Sequence, residues 1–288
     1  MTIKLVTDAS SLLPLKLMKE ENIGFFESVL LIEGKEYREL TELNRTEFIE
    51  SLHDRDPYPT SSQVLPQDAI EVFNQAVNEG YDEVLYLGLT PVISNQMNVV
   101  RLASKRFEKK IKITHYPTEL AVGPQGAMVF NALKLLKRGK SVEEIISYCD
   151  SIKHDIYSIG VTIDIESLFK SGKVKRGSAK GILVSLLKMK PIAHFSIEDG
   201  MIGIGAGLSY KSAIKKMIAE IQKRTDPKLT YDLFMCDALN PELVKEYEKE
   251  IKKVLKINEI HYWEMSSVMA LSSGKGAVMA TVCPTLKE

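Results

Sequence analysis

The stretch Val84-Leu85-Tyr86-Leu87-Gly88-Leu89, followed by Ser94-Asn95-Gln96, decides the fold. Its apolar half reads as a strand over Glu83 to Leu89. The polar cluster opens a helix from about Asn95 to Phe107, and a further strand follows over Ile111 to Thr114. Strand, helix and strand in that order form the unit of a parallel sheet covered by helices.

The same alternation extends upstream. Ile3 to Thr7 reads as a buried strand, and Pro14 to Glu20 as a short helix with proline in its first turn. Ser28 to Ile32 is a strand ending at a hairpin-like turn, Glu33-Gly34-Lys35. A helix over Thr46 to Leu52 follows Asn44 as N-cap. Asp56-Pro57-Tyr58-Pro59 forces an extended segment. Gln67 to Asn78 is amphipathic, with Ile70, Phe73 and Val77 on one face and Gly80 closing it.

Downstream, Pro124 to Lys137 is a helix closed by Gly139. Ser141 and Glu144 form a capping box for a helix through Ile152. The pattern changes near Asp155. Beyond it come a strand over Tyr157 to Thr162 and helices over Ile165 to Lys170 and Ser178 to Met189. A hairpin turning at Glu198-Asp199-Gly200 follows, then a helix over Ser212 to Gln222. Strands over Tyr231 to Cys236, Glu259 to Trp263 and Ala277 to Cys283 flank a helix over Pro241 to Leu255. The expectation is two α/β domains, at residues 1–155 and 156–288. The first has a mainly parallel, doubly wound sheet and the second a mixed or antiparallel α/β sandwich.

Composition narrows the function classes. Lys plus Arg and Asp plus Glu both number 38 in 288 residues, so the formal net charge is zero. Nucleic-acid binding normally leaves a basic excess. No charged and apolar leader opens the chain, and no apolar run reaches the roughly 18 residues of a membrane helix. Cys149, Cys236 and Cys283 are far apart and odd in number, which fits reduced thiols and a cytoplasmic location rather than a disulfide framework. His53, His115, His154, His194 and His261 are scattered without metal-ligand spacing, so neither metal nor cofactor is expected.

Small polar residues carry the remaining signal. Pro59-Thr60-Ser61-Ser62-Gln63 supplies several hydroxyl and amide donors between two helical stretches, with no histidine, cysteine or acidic pair beside it. That pattern suits holding an anion better than attacking one. Thr7-Asp8-Ala9-Ser10 lies where an open α/β sheet places its ligand, and equally suits a capping turn. Gly203-Ile204-Gly205-Ala206-Gly207 lacks both the Walker ending and the dinucleotide spacing, and reads as a glycine-rich bend. The strained Gly-x-Ser-x-Gly elbow of a serine hydrolase is absent.

Taken in order, these segments resemble the DegV family of bacterial fatty-acid-binding proteins over essentially the whole chain. Thr7-Asp8-Ala9-Ser10 matches the family's opening Thr-Asp-Ser-Ser. Ser61-Ser62-Gln63 matches its Thr-Ser-Gln, and Thr90-Pro91-Val92-Ile93-Ser94-Asn95 its Ser-Ser-Gly-Leu-Ser-Gly. Ile165 to Lys173 matches Leu-x-x-Leu-x-Lys-Gly-Gly-Arg, and Leu186 to Pro191 matches Leu-Leu-x-Ile-Lys-Pro. Ala270 to Gly276 matches Gly-Thr-His-x-Gly-x-Gly.

The resemblance implies a non-enzymatic carrier. One long-chain fatty acid would lie in an apolar tunnel, presented to a separate fatty-acid kinase for phospholipid synthesis. Carried over by position, the carboxylate contacts would be Ser61, Ser62, Ser94, Lys173 and Ser272. Asp8, Ser10, Gln63 and Asn95 would line the site. This chain departs from the family pattern at Lys173 for arginine, Ser272 for histidine, Ser61 for threonine, and Pro91-Val92 for Ser-Gly. Lysine loses the bidentate fork of arginine, so the implied site is less cationic.

Such a site is physically reasonable. Removing a carboxylate from water costs several kcal/mol unless it is paired. Hydrogen bonds to a charged group return about 1.5–3 kcal/mol each, and each buried methylene adds ~0.8 kcal/mol. Two other classes stay open at this stage. One is an acyl-transfer or hydrolytic enzyme using Ser61 or Ser94 with Lys173. The other is a diverged lipid-sensing regulatory protein.

Overall fold

The computed structural model describes residues 2–162, 164–172 and 189–287. Its strands are β1 (Ile3–Asp8), β2 (Gly24–Phe26), β3 (Val29–Ile32), β4 (Lys35–Arg38), β5 (Thr60–Ser62), β6 (Glu83–Gly88) and β7 (Lys112–Pro117) in the first half. The second half contains β8 (Tyr157–Val161), β9 (Lys190–Ser196), β10 (Gly200–Gly207), β11 (Thr230–Asp237), β12 (Lys256–Glu264) and β13 (Val278–Pro284). One sheet has the order β2-β1-β6-β7 with all pairs parallel. A six-stranded sheet has the order β10-β9-β8-β13-β11-β12, and only β11 and β12 run parallel. A small antiparallel sheet, β4-β3-β5, completes the set. The fold class is therefore the expected one.

Strand β6 is apolar from Val84 to Leu87 because both faces are covered. Val84 and Tyr86 pack with Phe26 and Phe73 beneath the helices Pro66–Asn78 and Gln96–Ser104. Leu85 and Leu87 face the opposite core. Alternate residues of a strand point to opposite faces, so burial on both sides requires a continuous apolar run.

The second core also contains the helix Val122–Lys137, which lies between the two large sheets. Ala127, Met128, Val129 and Ala132 share one cluster with Leu85 and Leu87 of the first sheet and with Phe234 and Met279 of the second. Close approach on both sides explains two glycines. A Cβ on Gly126 would stand 2.1 Å from the Ser11 carbonyl oxygen, and one on Gly123 would stand 2.0 Å from Thr281 Oγ1. A third core, around Leu233, Met235, Ala280 and Val282, lies beneath the helices Tyr210–Arg224 and Pro241–Ile251.

Local expectations and structure agree on the Asn44 cap, the Ser141–Glu144 capping box and the β9–β10 hairpin. They differ on the helix Pro66–Asn78. Its fully buried face is Ala69, Phe73 and Ala76, whereas Ile70 and Val77 are only partly covered. Small alanines let the helix sit close to the sheet and move the larger aliphatics to the flanks. The Ser-rich helix Ser267–Ser273 was not anticipated, because its composition reads as loop. The expected helix over Ser178 to Met189 falls almost entirely outside the described residues. Gly203 to Gly207 belongs to the edge strand β10, with a bulge between Gly203 and Gly205. Among the described residues, no helix is long and apolar enough to cross a membrane.

Candidate functional site

In the parallel sheet, β1 leads to β2 on one side and β6 leads to β7 on the other. The direction of winding therefore reverses between β1 and β6, and the crevice at their carboxyl ends is where an open α/β sheet places its ligand. Asp8, the last residue of β1, closes this crevice from within. Its carboxylate accepts the Leu89 backbone N–H at 2.9 Å, the Tyr86 hydroxyl at 3.1 Å and the Gln125 amide at 3.2 Å. It also accepts the Ser10 backbone N–H at 3.2 Å and is contacted by the Ser10 hydroxyl. Burial raises the Asp8 pKa, and these donors partly offset that rise. Fully buried and surrounded by its own chain, Asp8 ties β1 to β6 and caps the turn Ala9–Ser11. Ser10 contacts Gln125 Oε1 at 2.6 Å in the same network.

Two serine-bearing loops meet beside this point. Ser94 lies in the loop after β6, and its Oγ accepts the Gln96 backbone N–H at 3.2 Å. The buried Gln96 side chain hydrogen-bonds the Tyr86 hydroxyl and accepts the Val64 N–H at 3.5 Å. That contact brings the Ser61-Ser62-Gln63 segment alongside the Ser94 loop. Ser61 pairs with the fully buried Leu30 across β3 and β5 and shares its sheet face, yet remains exposed at the edge. Ser62 donates to the Gln63 carbonyl at 3.3 Å, and Asn95 Oδ1 accepts from Asn98 at 2.5 Å. Gln63 and Asn95 are both exposed.

Both loops touch the second half of the chain. Ile93 would meet a Cβ on Gly200, in the β9–β10 hairpin, at 3.2 Å. On the other side, the Tyr58 hydroxyl lies 2.8 Å from the Leu271 carbonyl and 3.0 Å from Ser167 Oγ. Those partners lie on the helices Ser267–Ser273 and Ile165–Lys170. Asp164 caps the latter helix, accepts the Ser167 hydroxyl at 2.5 Å and lies 2.8 Å from His53 Nε2. Lys170 donates to the His53 carbonyl at 2.9 Å. Ser272, half-buried, donates to the Met269 carbonyl at 3.2 Å, within its own helix. Lys173 lies outside the described residues.

Two cavities flank this junction. One of about 330 Å³ is lined by His53, Asp54, Arg55, Asp56, Tyr58 and Lys170. Another of about 350 Å³ is lined in part by Leu12, Leu13, Leu40, Leu43, Glu39 and Arg45. Ser61, Ser94 and Ser272 line neither.

Among the described residues, no histidine, lysine or carboxylate hydrogen-bonds the hydroxyl of Ser61, Ser62, Ser94 or Ser272. A serine nucleophile needs such a base. The three cysteines are buried, and burial pushes the thiols of Cys149 and Cys236 up to about 12. Among the described residues, no group of three or more His, Cys, Asp and Glu could hold a metal. The sequence reading missed His53, Tyr58, Asp164 and Ser167, whose contacts join residues far apart along the chain.

The profile of the DegV family, described as uncharacterised proteins, matches residues 2–285. A DegV domain-containing protein of Listeria innocua is 25% identical over 279 residues, covering 97% of each chain. A structure described as a fatty-acid-binding DegV family protein from Streptococcus agalactiae is 25% identical. It covers 99% of this chain and 100% of its own, with a TM-score of 0.83. A structure described as showing fatty acid binding by a DegV family protein from Thermus thermophilus is 24% identical. It covers 99% and 100%, with a TM-score of 0.87. With two large sheets, a small third one and a family match along almost its full length, this chain belongs to the DegV family.

Proposed function

We propose that this protein binds one long-chain fatty acid non-covalently, with the carboxylate at the junction of its two halves and the tail in an apolar tunnel. The observation that carries the reading is the convergence of the Ser61 and Ser94 loops through Val64 and Gln96, with no general base on either hydroxyl among the described residues. Fatty-acid binding described for similar DegV structures supports it. Ser61, Ser94 and Ser272 are the proposed hydroxyl contacts, with Lys173 as the cation and Ser62 and Gln63 shaping the loop. Asp8, Ser10 and Asn95 hold the surrounding backbone. The division of the chain is proposed near residue 155, and the role is proposed to be presentation of the fatty acid to a separate fatty-acid kinase.

Hydrogen bonds to a carboxylate contribute about 1.5–3 kcal/mol each, so two or three hydroxyls and a cation offset its desolvation. The apolar tail then supplies net affinity at ~0.8 kcal/mol per buried methylene. Protein purified from a bacterial host is denatured and its lipids measured by mass spectrometry. One fatty acid per chain is expected. No stoichiometric fatty acid, together with no binding of added oleate or palmitate, would overturn the reading.

A further inference from the structure

We propose that Tyr58 is a positioning residue that sets the spacing between the two walls of the head-group site and so selects for a carboxylate over an uncharged head group. This rests on the lipid-binding reading above. Tyr58 precedes Ser61 by a short stretch of extended chain, and its hydroxyl bonds the carbonyl of Leu271, the neighbour of Ser272, at 2.8 Å. One side chain thus links the segment carrying Ser61 to the helix carrying Ser272.

Tyr58 does not stand alone. Its hydroxyl also lies 3.0 Å from Ser167 Oγ, and Ser167 donates to Asp164 at 2.5 Å. Asp164 lies 2.8 Å from His53 Nε2 and caps the helix Ile165–Lys170 through the N–H groups of Glu166 and Ser167. The Lys170 ammonium sits 5.6 Å from the centre of the Tyr58 ring and bonds the His53 carbonyl. Residues of the first half, His53 and Tyr58, therefore alternate with residues of the second, Asp164, Ser167 and Leu271, in one connected network. Ser167 is almost fully buried, so its bonds are shielded from competing water.

The reason for selectivity is geometric. Hydroxyls on two separate elements help a carboxylate only if both reach it at once, because hydrogen bonding to charge weakens steeply with misplacement. A tail buried in apolar surface has no such requirement. Loosening the link between the walls should therefore weaken carboxylate binding and spare the tail.

The test uses the full chain, stripped of lipid, titrated calorimetrically with oleate and with oleyl alcohol. Tyr58→Phe keeps the ring and removes the hydroxyl. Oleate affinity is expected to fall about tenfold, with oleyl alcohol changed less than about twofold. The double variant Tyr58→Phe/Ser272→Ala is expected to lose less than the sum of the two single losses. Equal weakening of both ligands, or none, would reduce Tyr58 to a structural role and overturn the inference. Wild-type protein that binds no oleate overturns the lipid reading, and the inference with it. If Tyr58→Phe does not fold by circular dichroism, Ser167→Ala, which removes one of the two partners of the Tyr58 hydroxyl, is expected to show a smaller loss of oleate affinity with oleyl alcohol unchanged, and equal weakening of both ligands, or none, overturns the inference.

Discussion

The Glu39 carboxylate accepts the Val268 backbone N–H at 3.2 Å, joining the chain just after β4 to the first turn of the helix that carries Ser272. The contact spans the two halves of the molecule, and Glu39 itself is almost fully buried. Burial pushes the Glu39 pKa from 4.5 up to about 7, against the lowering effect of the Val268 N–H and the Ser266 and Ser28 hydroxyls. The nearby Glu27 carboxylate adds to the rise.

The pH dependence follows from that shift. Glu39 binds its proton more tightly folded than unfolded, so its contribution to stability is fully present below about pH 4.5. It is lost as pH rises toward 7. Urea midpoints of wild type and Glu39→Gln should converge near pH 4.5 and separate by pH 8. Wild type should become the weaker of the two by up to ~3 kcal/mol. A constant difference across that window would show that Glu39 does not titrate in it.

Ser61→Ala and Ser94→Ala address the proposed head-group contacts. Ser61→Ala removes an exposed hydroxyl and should change stability by less than about 0.5 kcal/mol, whereas Ser94→Ala also frees the Gln96 N–H and should cost about 1 kcal/mol. Oleate affinity, measured by displacement of a fluorescent fatty acid, should fall about tenfold or more for each. Unchanged affinity in both variants would remove these hydroxyls from the site.

Asp8 is expected to serve architecture. Asp8→Ala leaves the Leu89 N–H, the Tyr86 hydroxyl and the Ser10 N–H without their acceptor inside the crevice. The loss should be about 3–5 kcal/mol in chemical denaturation. Asp8→Asn keeps one carbonyl acceptor and should lose less. A mild Asp8→Ala phenotype would mean that solvent reaches the crevice.

Gly274 ends the helix Ser267–Ser273 at a φ of 71°. A Cβ there would fall 2.2 Å from the Asp164 Cβ. Gly274→Ala should therefore push Asp164 from its helix cap and from His53, lowering stability by more than about 2 kcal/mol. Thermal unfolding measures this directly, and an unshifted midpoint would show that the two helices can separate freely.

Much of the architecture was legible because its causes are local. The run at β6 is continuously apolar from Val84 to Leu87, the Ser141 and Glu144 box is a contact within one turn, and the β9–β10 turn contains its own glycine. The hydroxyl clusters at Ser61 and Ser94 stood out for the same reason, since neighbours in sequence are neighbours in space there. The face of the helix Pro66–Asn78 was misjudged because alanines, not the larger aliphatics, allow the closest approach to the sheet. The helix Ser267–Ser273 was missed because it is held by Glu39, Tyr58 and its Ser266 cap, and two of those are distant residues.

Sequence by itself determined the α/β class, the family and the polar loops, all of which follow from short-range periodicity and ordered motifs. Tertiary structure alone decided which of those loops meet. Gln96 reaches Val64 because β5 and the helix after β6 pack over the same core, and Tyr58 reaches Leu271 and His53 reaches Asp164 because the two halves of the chain pack against one another. Hydrogen bonds act over a few ångströms. A contact between residues 213 positions apart, as Tyr58 and Leu271 are, leaves no periodic trace in the chain.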